Sequence, residues 1–197
     1  MKKPGILRFD IQSEIKGPGR WRFMESQKRW PMANELYRSV FSSLGLTLLG
    51  GCDTITCTKE EAKSNYDIEL GIDVLFNLDN GLQITCQEKF LFTSFYTVTV
   101  EYFNDPANNI PGDWFTLRSN WYFVGYDTNK TMEWNKWILL DWPAVKLATS
   151  QGLIAWQLRQ NQSDNAKANF KYARFDNFPA NVVVAQGPQQ IKQLGLF

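Results

Sequence analysis

The sequence predicts an α/β or α+β fold in a single domain, with a central mixed sheet flanked by helices. Three observations lead there. One amphipathic helix stands near the N-terminus. Strand-like runs follow it in close order between residues 70 and 126. The chain has 197 residues, of which 44% are hydrophobic and 21% charged, enough for one core and short for two.

Taken in order, "GILRFDIQSEIK" alternates Leu7, Phe9 and Ile11 against Arg8, Asp10 and Gln12, the pattern of a half-buried strand. "GPGRWRF" breaks it. In "RWPMANELYRSVFSSLG", Pro31 suits a first helical turn, Met32, Leu36, Val40 (or Phe41) and Leu44 recur at helical spacing, and Gly45 suits the stop. Glu35 lies in this helix, off the centre of its stripe. Strands are expected at 70–78, 82–92, 94–103 and 117–126, with "NDPANNIPGD" as a loop. "MEWNKWILLDWPAVKLA" and "LIAWQLRQ" mix strand and helix signals. "NQSDNAKANFKYARFDNFP" reads as polar and irregular, "NVVVAQ" as a late strand and "GPQQIKQLGLF" as a short terminal helix.

Composition removes whole classes of chemistry. There is no histidine, so Ser-His-Asp and Cys-His nucleophiles, His-ligated metals and imidazole bases are out together. A net charge of +1 gives no global field toward nucleic acid or an anionic membrane. Cys52, Cys57 and Cys86 are odd in number and lack CxxC spacing, so they read as small buried residues of a cytoplasmic protein. No run is apolar enough to span a membrane. "LGGC", ending at Cys52, has the form of a lipoprotein cleavage box, but it follows a long stretch containing Glu25 and Glu35 instead of a compact basic leader. Eight Trp and 15% aromatic residues fit either packing or a platform for bases or sugars.

The chemistry concentrates in "GIDVLFNLDNGLQITCQEKF", residues 71–90. "LDNGL" supports a two-residue Asn80-Gly81 loop, which sets Asp73 opposite Glu88. It equally supports a three-residue Asp79-Asn80-Gly81 loop, which sets Asp73 opposite Gln87. The second is favoured. It gathers Val74, Phe76, Leu78, Ile84 and Cys86 on one face, and Asp73, Gln87 and Lys89 on the other. An acid, an amide oxygen and an amine so placed suit phosphodiester hydrolysis with Mg²⁺ or Mn²⁺. The carboxylate binds the cation, which polarises the phosphate and activates water, while the lysine stabilises charge or orients that water.

This pattern resembles the PD-(D/E)XK, or restriction-endonuclease-like, nuclease superfamily, in which an acid-bearing helix precedes an Asp strand and a hairpin strand bearing (D/E)-X-K. The resemblance runs from Glu35 through Lys89 and weakens beyond. "NELYRSVF" looks like the helix, "GIDVLF" like the Asp strand, and "QEK" stands for the acidic tripeptide. It implies Asp73 and Gln87 as metal ligands, Lys89 as the catalytic lysine, Glu35 as an auxiliary ligand of metal or water, and the Glu88 backbone carbonyl as a further ligand. Ile72 replaces the motif's Pro. Gln87 replaces an acid, which shifts the cation's dependence toward Asp73, Glu35, or Glu101 if the next strand brings it near.

The implied partner is DNA, or RNA, with a homodimer compatible and no membrane. Arg20 and Arg22 in "GPGRWRF", Lys28 and Arg29 in "SQKRW", and Lys167, Lys171 and Arg174 in "NAKANFKYAR" interleave cations with aromatics. Each reads as a strand-contacting arm or as an ordinary packed loop. Glu69 and Glu101 read as surface charges. Two rivals remain: a non-catalytic protein whose aromatic surface binds a protein or nucleic acid, and an all-β module for a small apolar ligand, which would lack the helix at 31–45.

Overall fold

Pro31 occupies the first turn of helix α1 (Trp30–Ser43) in a computed structural model that describes residues 3–10, 24–56, 71–160 and 168–188. The helix closes as expected. Gly45 takes φ +69°, its N–H donates to Ser42 O, and the Leu46 N–H donates to Phe41 O at 2.9 Å, a Schellman stop. The buried stripe is turned from the expected one. Ala33, Tyr37, Val40 and Phe41 are buried, whereas Leu36 and Leu44 pack at its margin. The aromatic rings set this rotation, because Tyr37 meets Phe76 at 4.7 Å and Phe41 stacks on Trp121 at 4.9 Å. Each such pair adds about 0.5–1.5 kcal/mol to the burial itself. The helix overturns the all-β reading.

The large sheet has seven strands in the order β11-β8-β7-β4-β3-β1-β2. They are β1 (Ile6–Asp10), β2 (Cys52–Thr56), β3 (Val74–Asn77), β4 (Gln83–Leu91), β7 (Trp121–Tyr126), β8 (Lys136–Asp141) and β11 (Val183–Gly187). The sheet is mixed: β1 runs parallel to β2 and β4 parallel to β7, while the remaining neighbours are antiparallel. A smaller sheet orders β6 (Ile110–Pro111), β5 (Thr97–Asp105), β10 (Asn169–Arg174) and β9 (Gln157–Gln160). Short helix α2 (Asp113–Thr116) and helix α3 (Trp142–Ser150) complete the described elements of regular α-structure named here.

Strand β7 is buried along its whole length and divides the core. Trp121 and Phe123 pack toward α1 with Phe76, Cys86 and Leu139. Tyr122, Val124 and Tyr126 pack the other way, against Val98 and Val100 of β5, Ala173 of β10 and Trp142 of α3. One face of the large sheet is therefore covered by a helix. The other is covered by the small sheet together with α3, not by helices alone as expected.

Several expectations are corrected. In β1 it is Ile6 and Arg8 that are buried, because the strand lies inside the sheet and Arg8 finds a carboxylate partner on the helix side. The stretch read as irregular contains β10, whose Asn, Lys and Arg positions hid a strand that pairs on both sides. Part of the expected 104–113 loop is structured: β5 runs to Asp105, Asp105 caps a 3₁₀ turn, and Ile110–Pro111 returns as β6. Cys86 is buried, but Cys52 is exposed. Cys57, Glu69 and the expected terminal helix from 189 on lie outside the described residues. Among the described residues, no helix is long and apolar enough to cross a membrane.

Candidate active site at the β3–β4 hairpin

The hairpin adopts the three-residue loop. Leu78 N–H donates to Leu82 O at 3.0 Å, Gly81 N–H to Leu78 O at 3.1 Å, and Gly81 takes φ +87°. Phe76 pairs with Ile84 and Val74 with Cys86, where the paired register ends, and the Asp73 N–H donates to Cys86 O at 3.0 Å. The Asp73 and Gln87 side chains touch. Asp73 Oδ2 accepts from Gln87 Nε2 and from the Glu88 backbone N–H, each at 2.6 Å, while Gln87 Nε2 lies 3.4 Å from the Glu88 carbonyl oxygen. Gly71 makes the approach possible. At φ +59° its absent Cβ would stand 2.9 Å from Gln87 Oε1 and 2.6 Å from Leu117 Cδ1.

Lys89 shares the strand face of Gln87 but opens into different space. Its Nζ donates to the Thr99 carbonyl at 3.1 Å, and it lines a cleft of about 450 Å³ between the two sheets. Asp73 and Gln87 instead line a smaller cavity of about 140 Å³ with Arg8, Glu88 and Trp30. Burial pulls the Lys89 ammonium below its ordinary pKa, and the charges of Asp113 and Glu101 oppose that pull. Both acids are in turn pushed upward by burial, with Lys89 countering. Burial, then the charges of Asp113, Asp73 and Glu101, hold the Tyr122 phenol neutral far above its usual range. The next strand thus does bring Glu101 toward the lysine. Asp113, at the start of α2, joins it from a segment whose Gly-Asp signal read only as a loop.

The side chain of Glu88 points to the opposite face. It forms a buried ion pair with the Arg8 guanidinium, accepts from Tyr37 Oη at 2.7 Å, and shares Arg8 with Asn34, whose Oδ1 accepts from Arg8 Nη2 at 2.8 Å. Its backbone N–H donates to Asp73, and the residue borders the cavity that Asp73 and Gln87 line. Glu35 is exposed on α1 and, among the described residues, no group of three or more Asp, Glu, His or Cys joins it to Asp73. Arg8, Asn34 and Tyr37 are the members of this polar cluster that the sequence did not suggest.

The donors fit a hard divalent cation in part. Asp73 offers one carboxylate, the Glu88 carbonyl one oxygen, and Gln87 an amide oxygen if the amide turns over. Among the described residues, no group of three or more Asp, Glu, His or Cys converges on one point, and Glu88, the second acid bordering the cavity, is paired with Arg8. Mg²⁺ commonly takes one or two carboxylates and leaves the remaining positions to water and phosphate.

The expected strand-contacting arms divide. Arg29 is buried between Asp127 at 2.8 Å and Glu25 at 2.7 Å, a structural role, and Lys28 pairs with Glu25. Lys171 lies over Tyr102 and Trp114, each at 4.3 Å, whereas Arg174 lines the larger cleft. Arg20, Arg22 and Lys167 lie outside the described residues. No family model, curated protein or solved structure matches this chain.

Proposed function

We propose that the chain is a metal-dependent nuclease with a restriction-endonuclease-like D…QXK site, hydrolysing phosphodiester bonds of DNA. The observation that carries the reading is the contact between Asp73 and Gln87 beside the Glu88 carbonyl, one strand step from Lys89. Asp73, Gln87 and the Glu88 carbonyl would hold Mg²⁺ or Mn²⁺, which supplies neutralisation of phosphate charge and a water of lowered pKa. Asp73 keeps its carboxylate aimed by accepting the Glu88 N–H. Lys89 presents an amine to the same strand face, where it offsets charge developing on the phosphate. The charges of Asp113 and Glu101 oppose the downward pull of burial on that amine's pKa.

A second reading, a nucleic-acid-binding protein without catalysis, is favoured by one observation. Lys89 donates to Thr99 O and opens into a cleft that Asp73 does not line. Titrating Mn²⁺ into the protein by electron paramagnetic resonance separates the two. The nuclease reading expects saturable binding that Asp73→Ala removes while the fold survives. Equal binding by both proteins, or none, supports the second reading.

A further inference from the structure

The larger cleft has a chemistry of its own. Lys89 and Leu91 of β4 form one side, and the facing side belongs to the small sheet. There the strand register sets Arg159 across from Phe170, Tyr172 across from Thr99, and Arg174 across from Thr97. Phe170, Tyr172 and Arg174 are alternate residues of β10 and share one face, so rings and guanidiniums stand side by side. Arg159 and Arg174 are both exposed, and Phe95, which also lines the cleft, is 76% exposed.

Among the described residues, three cations line this cleft and no carboxylate does. The neighbouring acids lie beside it: Glu101 pairs across from Phe170, and Asp176 is 4.0 Å from Arg174 with both side chains largely exposed. An ordinary apolar cleft has no use for two solvent-facing guanidiniums lining it with aromatic rings. A nucleotide has both matching parts, a flat base that stacks on rings and a phosphate that guanidinium groups grip through paired hydrogen bonds.

We propose that this cleft binds a nucleotide unit, with the base against Phe170, Tyr172 and Phe95 and the phosphate held by Arg159 and Arg174. The unit is a free nucleotide or the unpaired end of a strand. Gln87 and Lys89 are two residues apart on β4, about 7 Å, so a strand seated in the cleft continues toward the Asp73–Gln87 pair. That continuation rests on the nuclease reading; the binding does not.

The test is made in EDTA, where no metal-dependent cleavage intervenes. Fluorescence anisotropy follows a labelled single-stranded oligothymidylate of about eight nucleotides bound by the wild type, by the double variant Arg159→Ala/Arg174→Ala, and by Phe170→Leu. The arginine variant is expected to lose about tenfold or more in affinity and to show a shallower salt dependence. Phe170→Leu should lose affinity with the salt dependence unchanged. Competition by thymidine monophosphate and by orthophosphate separates the sources. Displacement by the nucleotide alone at low concentration marks a free-nucleotide site, and a strand that binds far more tightly than the nucleotide marks a strand end. Orthophosphate competing as well as the nucleotide, or variants binding as the wild type does, would overturn the inference. Arginine-dependent binding without cleavage leaves this cleft standing and removes the nuclease reading, whereas cleavage unaffected by these variants does the reverse.

Discussion

The Gln87 amide donates to the Asp73 carboxylate at 2.6 Å across the hairpin, so a neutral side chain of the candidate cation site holds its acid in place. That hydrogen bond fixes Asp73 in the absence of a cation and is given up if the amide turns its oxygen toward one.

Gln87→Glu replaces this bond with two facing carboxylates. Without divalent cation the variant should be less stable than the wild type by about 1–3 kcal/mol, from like-charge repulsion and the lost donor. Mg²⁺ should restore it, raising the urea midpoint of the variant more than that of the wild type. A variant indifferent to Mg²⁺ would show that no cation sits between these residues.

Gly71→Ala places a methyl against Leu117 Cδ1 and Gln87 Oε1 at a positive φ. Strain and displacement together should cost about 1–3 kcal/mol, and Mn²⁺ affinity should fall with the displaced amide. Equilibrium unfolding and Mn²⁺ titration on one preparation check both.

Arg8 and Glu88 bind each other beneath α1, at the margin of the cavity that Asp73 and Gln87 line. Glu88→Ala strands a buried guanidinium and should cost about 3–5 kcal/mol, much of which the double replacement Arg8→Met/Glu88→Leu regains. Unfolding by urea measures both. If the pair is structural alone, the double variant keeps whatever cleavage the wild type has; loss of cleavage with the fold restored would show that the pair, which borders the Asp73 cavity, also serves the site.

How much of this was legible in the sequence differs by element. The hairpin register was, because Asp79-Asn80-Gly81 and the alternation of Val74, Phe76 and Leu78 act within one short segment. Gly45 as the helix stop was legible for the same local reason. The buried face of β1 was not, since Arg8 is buried only because Glu88 and Asn34, distant in the chain, meet it. Nor was the side of the sheet that α1 covers. β10 was hidden because its lysine and arginine occupy positions beside aromatic rings and at a cleft rim, where charge is tolerated. Asp113 became a neighbour of Lys89 only through the pairing of β5 with β6 and the turn into α2.

Lys146 is held over Trp114 at 4.0 Å, and burial first, then the charges of Arg118 and Lys171, lower its pKa from 10.5 to about 8. Between those values the unfolded chain keeps a proton that the folded chain has lost, so this group makes stability rise with pH across that window and opposes folding below it. Lys146→Met should flatten the rise in unfolding free energy across the window, and the wild-type amine should acylate near pH 8 faster than exposed lysines. A slope unchanged by the substitution would contradict this placement.

Cleavage is the most direct test of the central claim. Labelled single-stranded, duplex and branched DNA are incubated in Mg²⁺ and in Mn²⁺ with the wild type and with Lys89→Ala, after circular dichroism has shown equal folding. The account predicts metal-dependent cleavage of at least one substrate by the wild type and its loss in the variant. All substrates left intact by the wild type, or cut equally by both proteins, would contradict it.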